Sequence, residues 1–145
     1  MASLFKLAAT FSVIVLIAPL PAKAEWVPVA QTNDNGSIYI ESASVARTGN
    51  IVTYWQRNTS TVPDDQGAIA YEFYVSRNCY SGNWGTTEVV GYSSNATVLF
   101  DITEASPVFT TKPGTSGSAI HELGCYASDT ASRREFINNI YKQRY

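Results

Sequence analysis

The stretch AIAYEFYVSRNC, residues 68–79, decides the fold. Its side chains alternate in character, which is typical of a β-strand that presents one set of residues to each face of a sheet. The two sets are Ile69, Tyr71, Phe73 and Val75 on one face and Ala70, Glu72, Tyr74 and Ser76 on the other. We therefore predict a long strand that ends at Cys79.

Shorter segments with the same period lie on both sides of this strand. They are EWVPVA (25–30), SIYIES (37–42), NIVTYWQRN (50–58), WGTTEVVGYSS (84–94) and ATVLFDIT (96–103). Pro28 interrupts the first segment, which suits an edge strand because proline cannot donate a ladder hydrogen bond. The connections are short turns rather than helix-length crossovers, so the pattern favours one antiparallel sheet over a βαβ fold.

The period changes to that of a helix near the C-terminus. Ile120 and Leu123 have helical spacing in SAIHELGCYA (118–127). In SRREFINNIYKQRY (132–145), Ser132 and Glu135 form a capping-box pattern ahead of an apolar set. Neither segment is long enough to be stable alone, so we predict an α+β fold, mainly β, in which this helical part packs against the sheet.

Residues 1–24 have the layout of a cleaved secretory signal. An apolar run from Leu7 to Ala18 precedes the small-x-small pattern Ala22-Lys23-Ala24. The run is shorter than the about 20 residues that cross a bilayer, and no cysteine follows it for a lipid anchor. We predict an exported protein, periplasmic or secreted, with no transmembrane segment and a single domain over residues 25–145.

The mature chain is acidic. The full sequence has a formal net charge of -2, which becomes about -4 when Lys6 and Lys23 leave with the signal. A phosphate backbone requires a basic face, so we predict no nucleic-acid partner.

The two cysteines of an exported chain are expected to form a disulfide. A bridge from Cys79 to Cys125 would fasten the helical part to the end of the long strand. The competing hypothesis is a Cys/His nucleophile, because His121 and Cys125 are four residues apart on one helix face. It requires a free thiol, so we predict a protein that is not an enzyme and has no catalytic residues.

No metal or cofactor site is expected. His121 and Glu122 leave a zinc site short of ligands once Cys125 is bridged. A calcium loop in QTNDNGS (31–37) fails because placing Gly36 at the sixth position puts Gln31 first and Ser42 twelfth. A hairpin turn at Asn-Gly fits better, and Asp64 and Asp65 are interpreted as solvated loop charges.

Aromatic residues are the candidate binding groups. Tyr54, Trp55, Tyr74 and Trp84 could form a surface on the sheet, together with Tyr39 and Tyr92. Exposed aromatics are common anchors in protein interfaces, although packing under the helix would explain about half of these residues equally well.

The chain also resembles a known family. The features are Trp26-x-Pro28, IYIESASV (38–45), GNIVTYW (49–55), the strand that ends at Cys79, Pro113-Gly114 and Cys125. They are similar to the surface-adhesin protein E family of Gram-negative bacteria. The resemblance implies an antiparallel sheet of about six strands with a C-terminal helix tethered by a disulfide, binding to host matrix and serum proteins, and a homodimer. Unlike the founding adhesin, this sequence lacks a lipid-anchoring cysteine and continues beyond Cys125.

Three hypotheses follow. The first is a non-catalytic extracytoplasmic binding module whose partner is a protein, with host and cell-surface proteins as the candidate classes. The second is a periplasmic accessory or inhibitor protein, such as a lysozyme inhibitor. The third is a hydrolase that uses Cys125 and His121. We favour the first.

Overall fold

The computed structural model describes residues 25–127. Within that range, strands and a short 3-10 helix (Ser42–Ser44) are followed by one α-helix. The strands are β1 (Trp26–Gln31), β2 (Ser37–Glu41), β3 (Ala46–Thr48), β4 (Ile51–Thr59), β5 (Ala70–Asn78), β6 (Asn83–Tyr92), β7 (Val98–Ile102) and β8 (Phe109–Thr110), and the helix is α1 (Ser116–Ala127). The predicted signal, residues 1–24, and the predicted helical segment over residues 132–145 lie outside the described residues.

The strands form one antiparallel sheet. Its order is β1-β2-β4-β5-β6-β7, while β3 pairs with β4 and β8 pairs with β6. The six-stranded path confirms the predicted sheet of about six strands. β1 lies at the edge of the sheet, as Pro28 indicated, and its register shifts between Pro28 and Ala30.

β5 is the strand predicted from residues 68–79, and it lies between β4 and β6. Its ladder with β4 runs without a break from Ile51 opposite Asn78 to Thr59 opposite Ala70. Directly opposed residues project from the same face of a sheet, so this register fixes which side chains of the two strands meet.

One face of the sheet, which we call the inner face, packs against α1. Val52, Tyr54 and Val75 are fully buried there, and Ile120 and Leu123 of α1 belong to the same core. Burying one such aliphatic side chain stabilises the fold by about 1.5 to 3 kcal/mol. The helix approaches closely at Gly124, where a Cβ atom would lie 3.1 Å from Tyr54 Cε1.

A buried arginine connects the sheet to the segment that leads into α1. Arg77 is only 2% exposed, and its Nε donates a hydrogen bond to the Tyr54 hydroxyl at 3.1 Å. Its Nη1 donates to Thr111 Oγ1 at 2.7 Å and to the Gly117 carbonyl at 3.5 Å. A buried charge is costly unless it is hydrogen-bonded, so these acceptors hold the segment in place.

The disulfide between Cys79 and Cys125 is present, with a Cα–Cα distance of 5.6 Å. It joins the residue after β5 to the last turn of α1, and so confirms the predicted tether of the helix to the sheet.

The β1–β2 turn confirms the hairpin interpretation of Asn-Gly. Asn35 has a positive φ of 60°, and a Cβ atom at Gly36 would lie 1.9 Å from the Thr59 carbonyl oxygen. Asp34 accepts hydrogen bonds from the hydroxyls of Thr32 and Ser60, which lower the pKa of its carboxyl from 3.8 to about 2. The carboxylate thus has a structural role in the turn.

Candidate binding surface

Two of the predicted aromatic residues lie side by side on the face opposite α1, which we call the outer face. Trp55 of β4 and Tyr74 of β5 are directly opposed, and their ring centroids are 5.3 Å apart at a tilt of 53°. Both side chains are half-buried. This cross-strand aromatic pair is the centre of the candidate surface.

A charged cluster adjoins the pair at the next outer-face positions. Arg57 and Glu72 are opposed on β4 and β5, and Arg57 Nε donates to Glu72 Oε1 at 2.9 Å. The guanidinium carbon of Arg57 lies 4.1 Å from the ring centroid of Trp26, a cation–π distance. The Tyr92 hydroxyl donates to Glu72 Oε2 at 3.0 Å.

The pKa of Tyr92 is raised, first by burial and then by its hydrogen bond to the Glu72 carboxylate. The negative charges of Glu72 and Asp101 act in the same direction, and Arg57 opposes them. Tyr92 therefore remains a neutral hydrogen-bond donor. The contacts that link Trp26, Arg57, Glu72 and Tyr92 are thus all made within the domain and require no group from a partner.

Glu88 of β6 completes the surface on the other side of Tyr74, which it opposes directly. Its place depends on a bulge, because the register shifts where Tyr74 pairs with Glu88 and Val75 pairs with Thr86. If the register of Val75 with Thr86 continued without the bulge at Thr87, Glu88 would oppose Phe73 and project from the inner face. Bulges are known to re-aim side chains in this way.

Two shallow clefts flank the aromatic pair. One, of about 310 Å³, is lined by Arg57, Glu72 and Tyr92 together with the β6–β7 turn. The other, of about 290 Å³, is mainly apolar and lies between Ile51 and the 105–108 segment. The outer face thus offers an aromatic ridge between two depressions, a shape that suits an extended polypeptide better than a small molecule.

Two further predicted aromatic residues, Tyr54 and Trp84, lie away from the Trp55 and Tyr74 pair, although Trp84 also lines the apolar cleft. Tyr54 is fully buried under α1, because its strand position is one residue out of phase with Trp55. Trp84 opposes Arg77 on the inner side of the sheet, and its ring centroid is 4.7 Å from that of Phe109. The prediction that Tyr54 is a binding residue is therefore corrected, and Trp84 packs apart from the Trp55 and Tyr74 pair.

The family model for surface-adhesin protein E matches residues 26–126 of this sequence. The chain belongs to the surface-adhesin protein E family. As an Adhesin E domain it is an adhesin-like binding module, and its family assignment makes it an exported or surface protein that is not expected to be an enzyme.

A solved structure supports the fold of this Adhesin E domain. The chain is similar to the crystal structure of protein E from non-typeable Haemophilus influenzae, with a TM-score of 0.57 and 14% sequence identity. The alignment covers 88% of this chain and 95% of that one. At this identity the similarity concerns the fold alone. The comparison with curated proteins gives no significant match.

The Cys/His hypothesis does not survive in this Adhesin E domain, because Cys125 is bonded to Cys79 and has no thiol to act as a nucleophile. His121 Nδ1 lies 3.8 Å from Cys125 Sγ, so the predicted proximity on one helix face is correct. Within residues 25–127, no three His, Cys, Asp or Glu side chains are grouped as a metal site would need. No helix in that range has the length and apolar character to cross a membrane.

His121 predicts how stability depends on pH. Burial, and then the positive charge of Arg77, lower the pKa of His121 from 6.5, while Glu122 raises it by less. Because the unfolded chain binds the proton more readily, the free energy of unfolding should decrease as the pH falls below about 6.5.

Urea denaturation at several pH values tests this expectation. His121→Gln should flatten the pH dependence over this interval, while Glu122→Gln should retain a slope. An equal slope for the wild type and His121→Gln would show that the histidine is not the responsible group.

The sequence reasoning missed Trp26, Arg57 and Glu88 as members of the surface. Arg57 shares its alternation with Trp55, and Glu72 shares that of Tyr74, so the pattern alone assigned each to a face. The pattern could not give the register between β4 and β5, because the loop over residues 60–69 is long enough to allow several registers.

Proposed function

We propose that this Adhesin E domain is a non-catalytic extracytoplasmic module that captures another protein on its outer face. The observation that carries the proposal is the half-buried Trp55 and Tyr74 pair on the face that α1 does not cover. The family implies host matrix or serum proteins as partners, and a host or cell-surface protein is the partner class we expect.

The physical basis is a rigid aromatic platform. Tryptophan and tyrosine are enriched among the residues that dominate binding energy, because they bury a large area and lose little side-chain entropy. Trp55 and Tyr74 lie on β4 and β5, two central strands of the sheet that are joined by a continuous ladder, so the spacing of the two rings is fixed before a partner binds. A fixed spacing reduces the ordering cost of association.

The proposal includes a location and an assembly state. The signal over residues 1–24 would be removed, and the mature protein would begin at Glu25 in the periplasm or outside the cell. The disulfide fits an oxidising compartment. We also propose a homodimer, which light scattering after size-exclusion chromatography would detect.

The binding test compares two variants, each of which lacks aromatic surface area that the wild type has. In Trp55→Ala/Tyr74→Ala, capture of matrix and serum proteins by the immobilised mature protein should weaken at least about tenfold. The matched control is Tyr80→Ala, because Tyr80 is 90% exposed and lies in the β5–β6 turn. Circular dichroism should show that all three proteins remain folded.

Equal capture by the double variant and the wild type would contradict the proposal. A lysozyme panel, run with the same proteins, tests the hypothesis of a periplasmic inhibitor. If the wild type inhibits a lysozyme and Trp55→Ala/Tyr74→Ala abolishes that inhibition, the outer face is still the binding surface, but its partner is a lysozyme.

A further inference from the structure

We propose that Trp55, Tyr74 and Glu88 form an acceptor site for an arginine side chain of the partner protein. This inference rests on the proposed function, because it names the chemistry that the outer face would recognise. It predicts a partner with an exposed basic segment, whereas the proposed function alone is compatible with a neutral or apolar one.

The first argument is that this face already holds one guanidinium in the same manner. Arg57 lies 4.1 Å from the Trp26 ring centroid and is hydrogen-bonded to the Glu72 carboxylate. An aromatic face and a carboxylate together satisfy both the planar cation and its N–H donors. The chain's own arginine therefore demonstrates the geometry on this sheet.

The second argument is that an aromatic group and a carboxylate occur together again at the next set of opposed outer-face residues, where the chain supplies no cation of its own. Trp55 opposes Tyr74, and Tyr74 opposes Glu88, so the three side chains are adjacent across β4, β5 and β6. Among residues 25–127, no hydrogen bond or ion pair engages the Glu88 carboxylate. The Glu88 site thus has the aromatic and anionic parts of the Arg57 arrangement without the cation.

The third argument is the bulge that brings Glu88 to this face. Continued from Val75 and Thr86, the ladder would place the glutamate opposite Phe73 on the inner face, and the bulge at Thr87 lets it oppose Tyr74 instead. A carboxylate inside the core would be costly, so the bulge has a structural benefit as well. Its result is that a half-buried carboxylate adjoins an aromatic pair.

The fourth argument is the charge of the domain. Residues 25–127 contain ten Asp and Glu residues against four Lys and Arg residues, a net charge of -6. Three of the four cations, Arg47, Arg57 and Arg77, are engaged within the fold. The resulting field attracts a basic segment and increases its association rate, and an acidic segment would be repelled.

The test uses two synthetic peptides that differ only in charge. The first is a glycine and serine peptide with three arginines, and the second replaces each arginine by the neutral isostere citrulline. Isothermal titration calorimetry of the mature protein reports binding, because its signal does not depend on Trp55. We expect the arginine peptide to bind at least about fivefold more tightly than the citrulline peptide.

Two matched variants separate a specific site from general attraction. Glu88→Gln should weaken arginine-peptide binding about fivefold, and Trp55→Ala should weaken it about tenfold. Glu122→Gln removes the same charge from the exposed side of α1 and should leave binding unchanged within about twofold.

Equal binding of the two peptides, or equal effects of Glu88→Gln and Glu122→Gln, would overturn the inference. The proposed function would still stand if protein capture depended on Trp55 and Tyr74. If protein capture did not depend on Trp55 and Tyr74, the proposed function would be refuted. The two failures are therefore distinguishable.

Discussion

The double substitution Cys79→Ala/Cys125→Ala should lower the free energy of unfolding by about 4 kcal/mol. The bridge closes a loop across a sequence separation of 46. In the chain-entropy description, a loop of this size restricts the unfolded chain strongly and the folded chain very little. A domain of this length is stable by only about 5 to 15 kcal/mol, so the loss is a large share of the total.

Urea denaturation of the wild type and the double variant measures the effect. Adding a reductant to the wild type should produce a similar decrease, and adding it to the double variant should change nothing. A difference below about 1 kcal/mol would show that the packing of α1, rather than the bridge, restricts the chain. Mass spectrometry with alkylation before and after reduction verifies the state of both cysteines.

Tyr54→Ala should destabilise the fold by about 4 kcal/mol. The side chain is fully buried between the sheet and α1, in contact with Gly124, and its removal leaves a cavity that neither element can fill. Its hydroxyl also accepts a hydrogen bond from the buried Arg77 at 3.1 Å. Tyr54→Phe keeps the ring and removes only this acceptor, at a cost of about 1 to 3 kcal/mol.

The matched control for this substitution is Tyr74→Ala. The two tyrosines lie on neighbouring strands, but Tyr74 is half-buried on the outer face, so its removal leaves no enclosed cavity. Urea midpoints should rank the variants with Tyr54→Ala the least stable. If Tyr74→Ala were as destabilising as Tyr54→Ala, the assignment of the two faces would be wrong.

Alternation was sufficient to predict the strands, and it was insufficient to orient them. In NIVTYWQRN, Tyr54 and Trp55 have similar chemistry and opposite phase, so either could point to the core. The helix decides between them, because α1 packs on the face that carries Tyr54. The composition of one strand contains no information about which of its faces a distant helix will cover.

Register was the second limit. The Arg57 and Glu72 pair depends on how β4 aligns with β5, and the Glu88 position depends on a bulge within β6. A shift of one residue would move each side chain to the opposite face. The disulfide was easier to predict, because an exported chain with two cysteines has one possible intramolecular bridge.

The position of the disulfide also determines how the domain would bear mechanical load. Tension applied between β1 and any point beyond Cys125 passes from β5 directly through the sulfur atoms. The segment between the cysteines, with β6, β7, β8 and most of α1, is bypassed and carries no force. Roughly 160 Å of potential chain extension is thereby withheld, so the domain would form a short and stiff connection between the two points of load.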